Sequence, residues 1–268
     1  QGLAAVAIGD SAGYTNQDGY AVAVGTSAGT SNQGGYAVAI GNNTGKNTQG
    51  GYAVALGYDA GETSQGGSAV AIGNTAGETS QGGTAVAIGN TAGQTTQGVS
   101  TVAIGNIAGN SSQQAGAVAI GNTAGQTTQG GSAVAIGNTA GNATQAAGAV
   151  AIGNVAGQTT QGGQAVAIGN AAGKNNQGSA SVCIGYNAGV GNTSSVSSDS
   201  VCIGRDAGSA GLTNGGIVLN GSGAAFPGTN PSAAGFFVNP IRAVAHNVGF
   251  PGMLVYDATT GEITYSTN

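Results

Sequence analysis

Charge is what this sequence has least of. Lysine and arginine together number four in 268 residues, aspartate and glutamate nine, and charged residues make up 5% of the chain. Lys46, Lys174, Arg205 and Arg242 cannot line a strip of phosphates, so nucleic acid and membrane surfaces are excluded as partners. Tryptophan is absent, aromatic residues make up 4%, and there are only four prolines; a conventional globular core is not available from such material. No apolar run approaches the roughly 20 residues that span a bilayer, which argues against membrane insertion. Gln1 opens directly into repeat sequence, and the expectation is that any export signal has been removed, was never present or lies elsewhere.

The chemistry-bearing residues are as sparse. The single histidine, His246, gives no intrachain metal cluster and no spacing for a catalytic triad, and is expected to be an ordinary core or surface residue. The carboxylates Asp10, Asp18, Asp59, Glu62, Glu78, Asp199, Asp206, Asp257 and Glu262 are scattered without a spacing that suggests an acid/base pair. Gly189–Gly191 lacks the strand-to-helix context of a dinucleotide loop, and the calcium-binding glycine-aspartate nonapeptide is missing. Sequons such as Asn110-Ser111-Ser112 are expected by chance in a chain this rich in Asn, Ser and Thr. The reading is a non-enzyme with no cofactor and no metal.

What is present is glycine, 55 residues of it, together with 40% hydrophobic residues that recur with a fixed period. The apolar content argues against disorder. Gly9, Gly25, Gly41, Gly57, Gly73, Gly89, Gly105, Gly121, Gly137, Gly153, Gly169 and Gly185 mark eleven unbroken intervals of sixteen residues. Gly204 follows nineteen residues later, so the loop Val190–Ser200 carries three extra. The consensus reads G-N-T-A-G-Q-T-T-Q-G-G-S-A-V-A-I. A 16-residue unit is too short for a helical hairpin or a propeller blade, and its glycine content opposes helix. One coil of a parallel β-solenoid fits, giving an all-β rod of about 13 coils over residues 1–208, roughly 60 Å long at ~4.8 Å per coil.

Within each unit A-V-A-I alternates with the period of a strand. Val22 and Val24 point one way, Ala21 and Ala23 the other, and the larger pair is expected to fill the interior. Ala12-Gly13 and Gly34-Gly35 are then placed at the tight turns. The alanines Ala21, Ala23, Ala37, Ala53, Ala69 and Ala85 would form an outward strip of small apolar side chains, read as an oligomer interface that lets neighbouring rods approach closely. Cys183 and Cys202 occupy the same strand position in consecutive coils. They are read as thiols filling that interface, with a disulfide inside or between chains as the alternative. Like residues also stack on the polar side of the unit. Gln65, Gln81 and Gln97 belong to a glutamine row running from 17 to 177, and Asn74 to Asn170 form a second; such amide ladders bond to themselves, where stacked charges would repel. Tyr20, Tyr36 and Tyr52 stack near the N-terminus, and with the glutamines they mark a candidate ligand face for a host glycan or protein receptor, cross-coil packing being the plainer reading.

Beyond about Gly208 the composition changes: every phenylalanine and proline, together with Met253 and His246, falls in 209–268. Ile217-Val218-Leu219, Phe236-Phe237-Val238, Met253–Tyr256 and Glu262–Tyr265 read as short strands, the last two joined as a hairpin through Asp257–Gly261. A solenoid end needs a cap, so 209–268 is expected to be a C-terminal cap that also holds chains together, or a binding tip.

Segments such as Ser68-Ala69-Val70-Ala71-Ile72-Gly73 resemble the coils in head domains of trimeric autotransporter adhesins, which implies a left-handed β-roll in a homotrimer. The longer unit Y-A-V-A-I-G-x-x-A-G-x-x-x-Q-G-G and the ending Gly252–Tyr265 are similar to repetitive fibre proteins of large algal viruses and phages. In that family such an ending precedes a self-cleaving chaperone domain, which implies a processed C-terminus at Asn268. The 16-residue unit differs from the shorter coils of the adhesins, and neck, stalk and anchor are not seen. The functional expectation is an extracellular fibre shaft on a virion surface. The alternatives are a cell-surface adhesin or filament, and an ice-binding solenoid displaying Thr15, Thr63, Thr79, Thr95, Thr127 and Thr159, a row broken by Ser31, Asn47, Ser111, Ala143 and Asn175.

Overall fold

Sixteen residues close one turn of the chain, and each turn stacks on the next in parallel register. The computed structural model describes residues 1–190, 196–212, 214–221, 235–239, 254–256 and 263–265. The fold is a parallel β-solenoid, and the described residues contain no helix. Its long sheet has 15 strands in chain order, from Val6–Ile8 to Phe236–Asn239. Each three-residue V-A-I strand pairs with its counterpart one unit on, as Val102, Ala103 and Ile104 do with Val118, Ala119 and Ile120. A shorter ladder runs down the other side of the coil through two- and three-residue strands such as Thr96–Gln97 and Ser112–Gln113. Single bridges extend it from Gln33 to Gln81 and from Gln161 through Gln177 and Val196 to Leu212.

The alternation of A-V-A-I holds, but its sense is the reverse of the expectation. The alanines point in: Ala21, Ala23, Ala37, Ala53, Ala69 and Ala85 are all fully buried within the single chain. The valines and isoleucines point out and remain half-buried or exposed. The reason is the thickness of the coil. Gln33 Nε donates to the Val22 carbonyl at 2.8 Å, so the two ladders lie within one amide side chain of each other. Opposite a glutamine in every turn there is room for a methyl group and not for a branched side chain.

Glycine meets two separate demands in this cross-section. Gly73, which ends a V-A-I strand, has φ +133, and a Cβ there would lie 2.3 Å from the Gly89 carbonyl oxygen of the next coil. Gly77 has φ +55, and its Cβ would lie 2.9 Å from the amide of Gln81. Gly13 takes the left-handed conformation expected of it, with φ 54. Gly34 and Gly35 do not, because the chain reverses one residue later, at Tyr36 with φ 62. That corner is left-handed whatever residue holds it, including Tyr20, Tyr52, Ser68 and Gln164. A second left-handed corner carries even the β-branched Ile107 (φ 59) and Val155 (φ 52). Each such residue costs about 1 kcal/mol, so the solenoid tolerates local strain in return for a complete interstrand ladder.

Towards the C-terminus the interior changes character. Val196 and Leu212 take the place of glutamine, and Cys183, Cys202 and Val218 take the place of alanine; all five are buried in one apolar cluster that Phe237 borders. Larger side chains on the strand therefore appear where the glutamine disappears. The parallel sheet continues through Ile217–Asn220 to Phe236–Asn239. Leu254–Tyr256 and Ile263–Tyr265 pair antiparallel, as expected of a hairpin. His246 lies outside the described residues.

Candidate functional site

The surface of the coil is a set of side-chain columns parallel to the rod axis, and its candidate sites are best read column by column. On the outer face of the long sheet a valine column and an isoleucine column run side by side. From Val38 and Ile40 to Val182 and Ile184, leucine at 56 is the single deviation. Exposure reaches 60% at Ile8, 42% at Leu56 and 41% at Ile203. The strand residues carry no charge between Tyr36 and Tyr186, and Asp59 is the single charge at a flanking corner there. Most of the charge there sits around the opposite turn, where Lys46 pairs with Glu62 at 3.4 Å. Glu78 accepts from Gln94 Nε at 2.6 Å, so of the consecutive glutamates Glu62 faces a cation on one side and Glu78 a neutral amide donor on the other.

The alanines expected at an oligomer interface are inside, and so are Cys183 and Cys202; none of these residues can meet another chain. The apolar outer face belongs instead to Val and Ile. The regular glutamine contained the signal that was missed, since one amide per coil among small residues marks the interior, where backbone carbonyls need a donor.

Gln65, Gln81 and Gln97 are likewise buried and form no ligand face. The glutamine column is the spine of the core. Gln113 donates to the carbonyls of Val102 at 2.8 Å and Ala117 at 3.2 Å and to Gln129 Oε at 3.1 Å, while accepting from Gln97 at 3.3 Å. The amide chain is continuous from Gln17 to Gln65 and from Gln97 to Gln177. Between those runs, the Oε atoms of Gln81 and Gln97 lack a donor.

Of the sequence-nominated ligand residues, only the tyrosines are on the surface. Tyr20, Tyr36 and Tyr52 form a parallel stack with ring centroids 5.0 and 5.1 Å apart and planes within 7° and 4°. Stacking consumes the inner ring faces, leaving the hydroxyl edges and the two end faces to solvent. Exposed Asn106, Asn122, Asn138 and Asn154 form a second amide chain with donor–acceptor distances of 3.0 Å. The threonine row is on the surface, and all six of its threonines are exposed.

Cys183 and Cys202 are register partners, buried and unbridged. The Cys183 thiol is pushed far above its ordinary range, first by its hydrogen bond with Cys202 and then by burial. Such a thiol is a packing group. Among the described residues no cluster of three His, Cys, Asp or Glu side chains could hold a metal, and no helix is long and apolar enough to cross a membrane. No protein-family model, curated protein or solved structure matches this chain.

Proposed function

We propose that the chain is the shaft of an extracellular fibre on a virion surface, a homotrimer whose rods pack through their Val/Ile faces and present the 209–268 region for attachment. The observation that supports this reading most is the uncharged, outward Val/Ile strip. A strip roughly 60 Å long and ~10 Å wide offers each chain on the order of 600 Å² of apolar face. Two such faces together reach about 1,200 Å², the lower end of a specific interface. A lone rod would leave that strip wet, at the upper end of the roughly 300–600 Å² that the largest apolar patch of a monomer reaches and which is often functional. Rigidity, reach and multiplied tip affinity follow from a bundle of ladders.

The test is the absolute mass of the native protein by light scattering. A mass of three chains that falls to one in the Ile88→Lys/Ile120→Lys variant supports the proposal. A monomeric native protein overturns it. The reading as a cell-surface adhesin is favoured by the Tyr20–Tyr36–Tyr52 stack, whose two end faces could each take one sugar ring. Glycan-array binding that is lost in Tyr20→Ser/Tyr52→Ser would move the assignment there.

A further inference from the structure

Three consecutive coils place tyrosine at the corner that leads into the V-A-I strand, where the backbone is left-handed at φ 60, 62 and 61 for Tyr20, Tyr36 and Tyr52. A bulky side chain is an outlier in that conformation. The same corner is held by serine at 68, 100 and 132 and by glycine at 116 and 148, so the turn itself does not ask for an aromatic ring.

The solenoid holds in contact what free tyrosines reach only by collision. Tyr36 lies between two rings whose centroids are 5.0 and 5.1 Å away and whose planes are within 7° and 4° of its own. All three stand half or more exposed. Their π faces meet while their hydroxyls reach water, and the Cε carbons ortho to each hydroxyl, where a phenoxyl radical carries much of its unpaired spin, belong to the facing surfaces. Tyr14, Tyr58 and Tyr186 are as exposed, yet none of them faces a second tyrosine. Thr30 stands one coil on from Tyr14, Asn42 and Asn74 are the counterparts of Tyr58 in the coils on either side, and Tyr186 lies against the Arg205 guanidinium at 5.4 Å.

We propose that the Tyr20–Tyr36–Tyr52 column is an oxidative cross-linking site, in which a haem peroxidase with hydrogen peroxide forms a dityrosine bond between consecutive coils of one chain. Two facing phenols each give up one electron and the hydroxyl proton, and these two electrons and two protons reduce one hydrogen peroxide to two waters. The two phenoxyl radicals then pair their spins in a Cε–Cε bond. Each bonded carbon releases its hydrogen to solvent as a proton while each oxygen takes one back, so the product is lighter than the two tyrosines by two hydrogens. Cofacial rings present the orbitals that form this bond, and the open corner lets the rings splay as it closes. Contact within the column replaces a bimolecular encounter, so coupling inside the stack outruns coupling between chains. The bond closes a loop of sixteen residues and staples neighbouring coils, restricting the unfolded chain as a disulfide does.

The test treats the full chain with peroxidase and hydrogen peroxide, follows dityrosine by its fluorescence and locates it by peptide mapping. The expected product joins Tyr36 to Tyr20 or Tyr52, has lost two hydrogens, and still migrates as a single chain in denaturant. Tyr36→Phe keeps a ring in the stack but has no phenol to oxidise and leaves Tyr20 and Tyr52 two coils apart, so the yield is expected to fall at least tenfold with the far-UV dichroism unchanged. The variant Tyr14→Phe/Tyr58→Phe/Tyr186→Phe is expected to keep the yield of wild type. Absence of dityrosine overturns the proposal, as do equal yields from wild type and Tyr36→Phe. Links found only between different chains overturn it as well: through Tyr14, Tyr58 or Tyr186 they would mark chance encounters, and through Tyr20, Tyr36 or Tyr52 they would make the column a seam between rods.

Discussion

Replacing Gln113, mid-rod and 1% exposed, tests whether the amide column holds the coils together. Leucine has nearly the same volume, so Gln113→Leu removes hydrogen bonds with little change in packing. It leaves Gln129 Oε without the donor at 3.1 Å, Gln97 Nε without the acceptor at 3.3 Å, and the Val102 carbonyl without the donor at 2.8 Å. At ~1–3 kcal/mol for each buried group deprived of a partner, a loss of about 3–5 kcal/mol is expected. Gln113→Glu makes the same point with a pH axis. A protonated glutamic acid can donate to the Val102 carbonyl and accept from Gln97, as the amide does. A carboxylate there faces carbonyl oxygens and is desolvated, so its folded-state pKa rises above the unfolded value of about 4.3. Below that value the variant therefore lacks only the donor to Gln129 Oε, a deficit of ~1–3 kcal/mol. Its stability relative to wild type falls by a further ~1.4 kcal/mol per pH unit as pH rises towards the folded pKa, and is flat above it. Guanidinium unfolding of wild type and both variants at pH 4 and pH 7 measures this. A leucine variant as stable as wild type, or a glutamate variant whose deficit does not change with pH, would refute the amide-column account.

Val155→Asn relieves a β-branched residue at φ 52 and is expected to gain about 1 kcal/mol, visible as a higher melting temperature; no gain would mean that the corner is unstrained. Ala87→Lys places an ammonium in the filled interior and should unfold several coils, whereas Ile88→Lys on the outer face should leave the far-UV dichroism unchanged; equal damage from both would contradict the inward sense of alanine. Cys183 and Cys202 should resist a thiol-specific disulfide reagent at pH 8 in the native protein and react as two equivalents in denaturant; rapid native labelling would show that the C-terminal core opens. No thermal hysteresis is expected, because Ser31, Asn47, Ser111, Ala143 and Asn175 interrupt the threonine row; measurable ice-growth inhibition would return weight to the ice-binding alternative.

The sequence by itself determined the period, the parallel register and the polar ladders. Each follows from a rule local to one unit: a glycine every sixteen residues, a strand alternation of two, and like residues stacking on like. The C-terminal strands Ile217–Asn220 and Phe236–Asn239 were legible for the same reason, as apolar runs between turn signals. What side-chain size alone could not decide was which side of the strand faces in. Size ranked Val and Ile as core and Ala as surface, a ranking that holds for wide interiors. The distance between the two ladders is set in three dimensions, by a glutamine that must reach a carbonyl at 2.8 Å across the coil. Only the tertiary structure therefore placed Ala21, Cys183 and Gln65 inside, left the valine and isoleucine columns on the surface, and turned an expected alanine seam into a spine of amides.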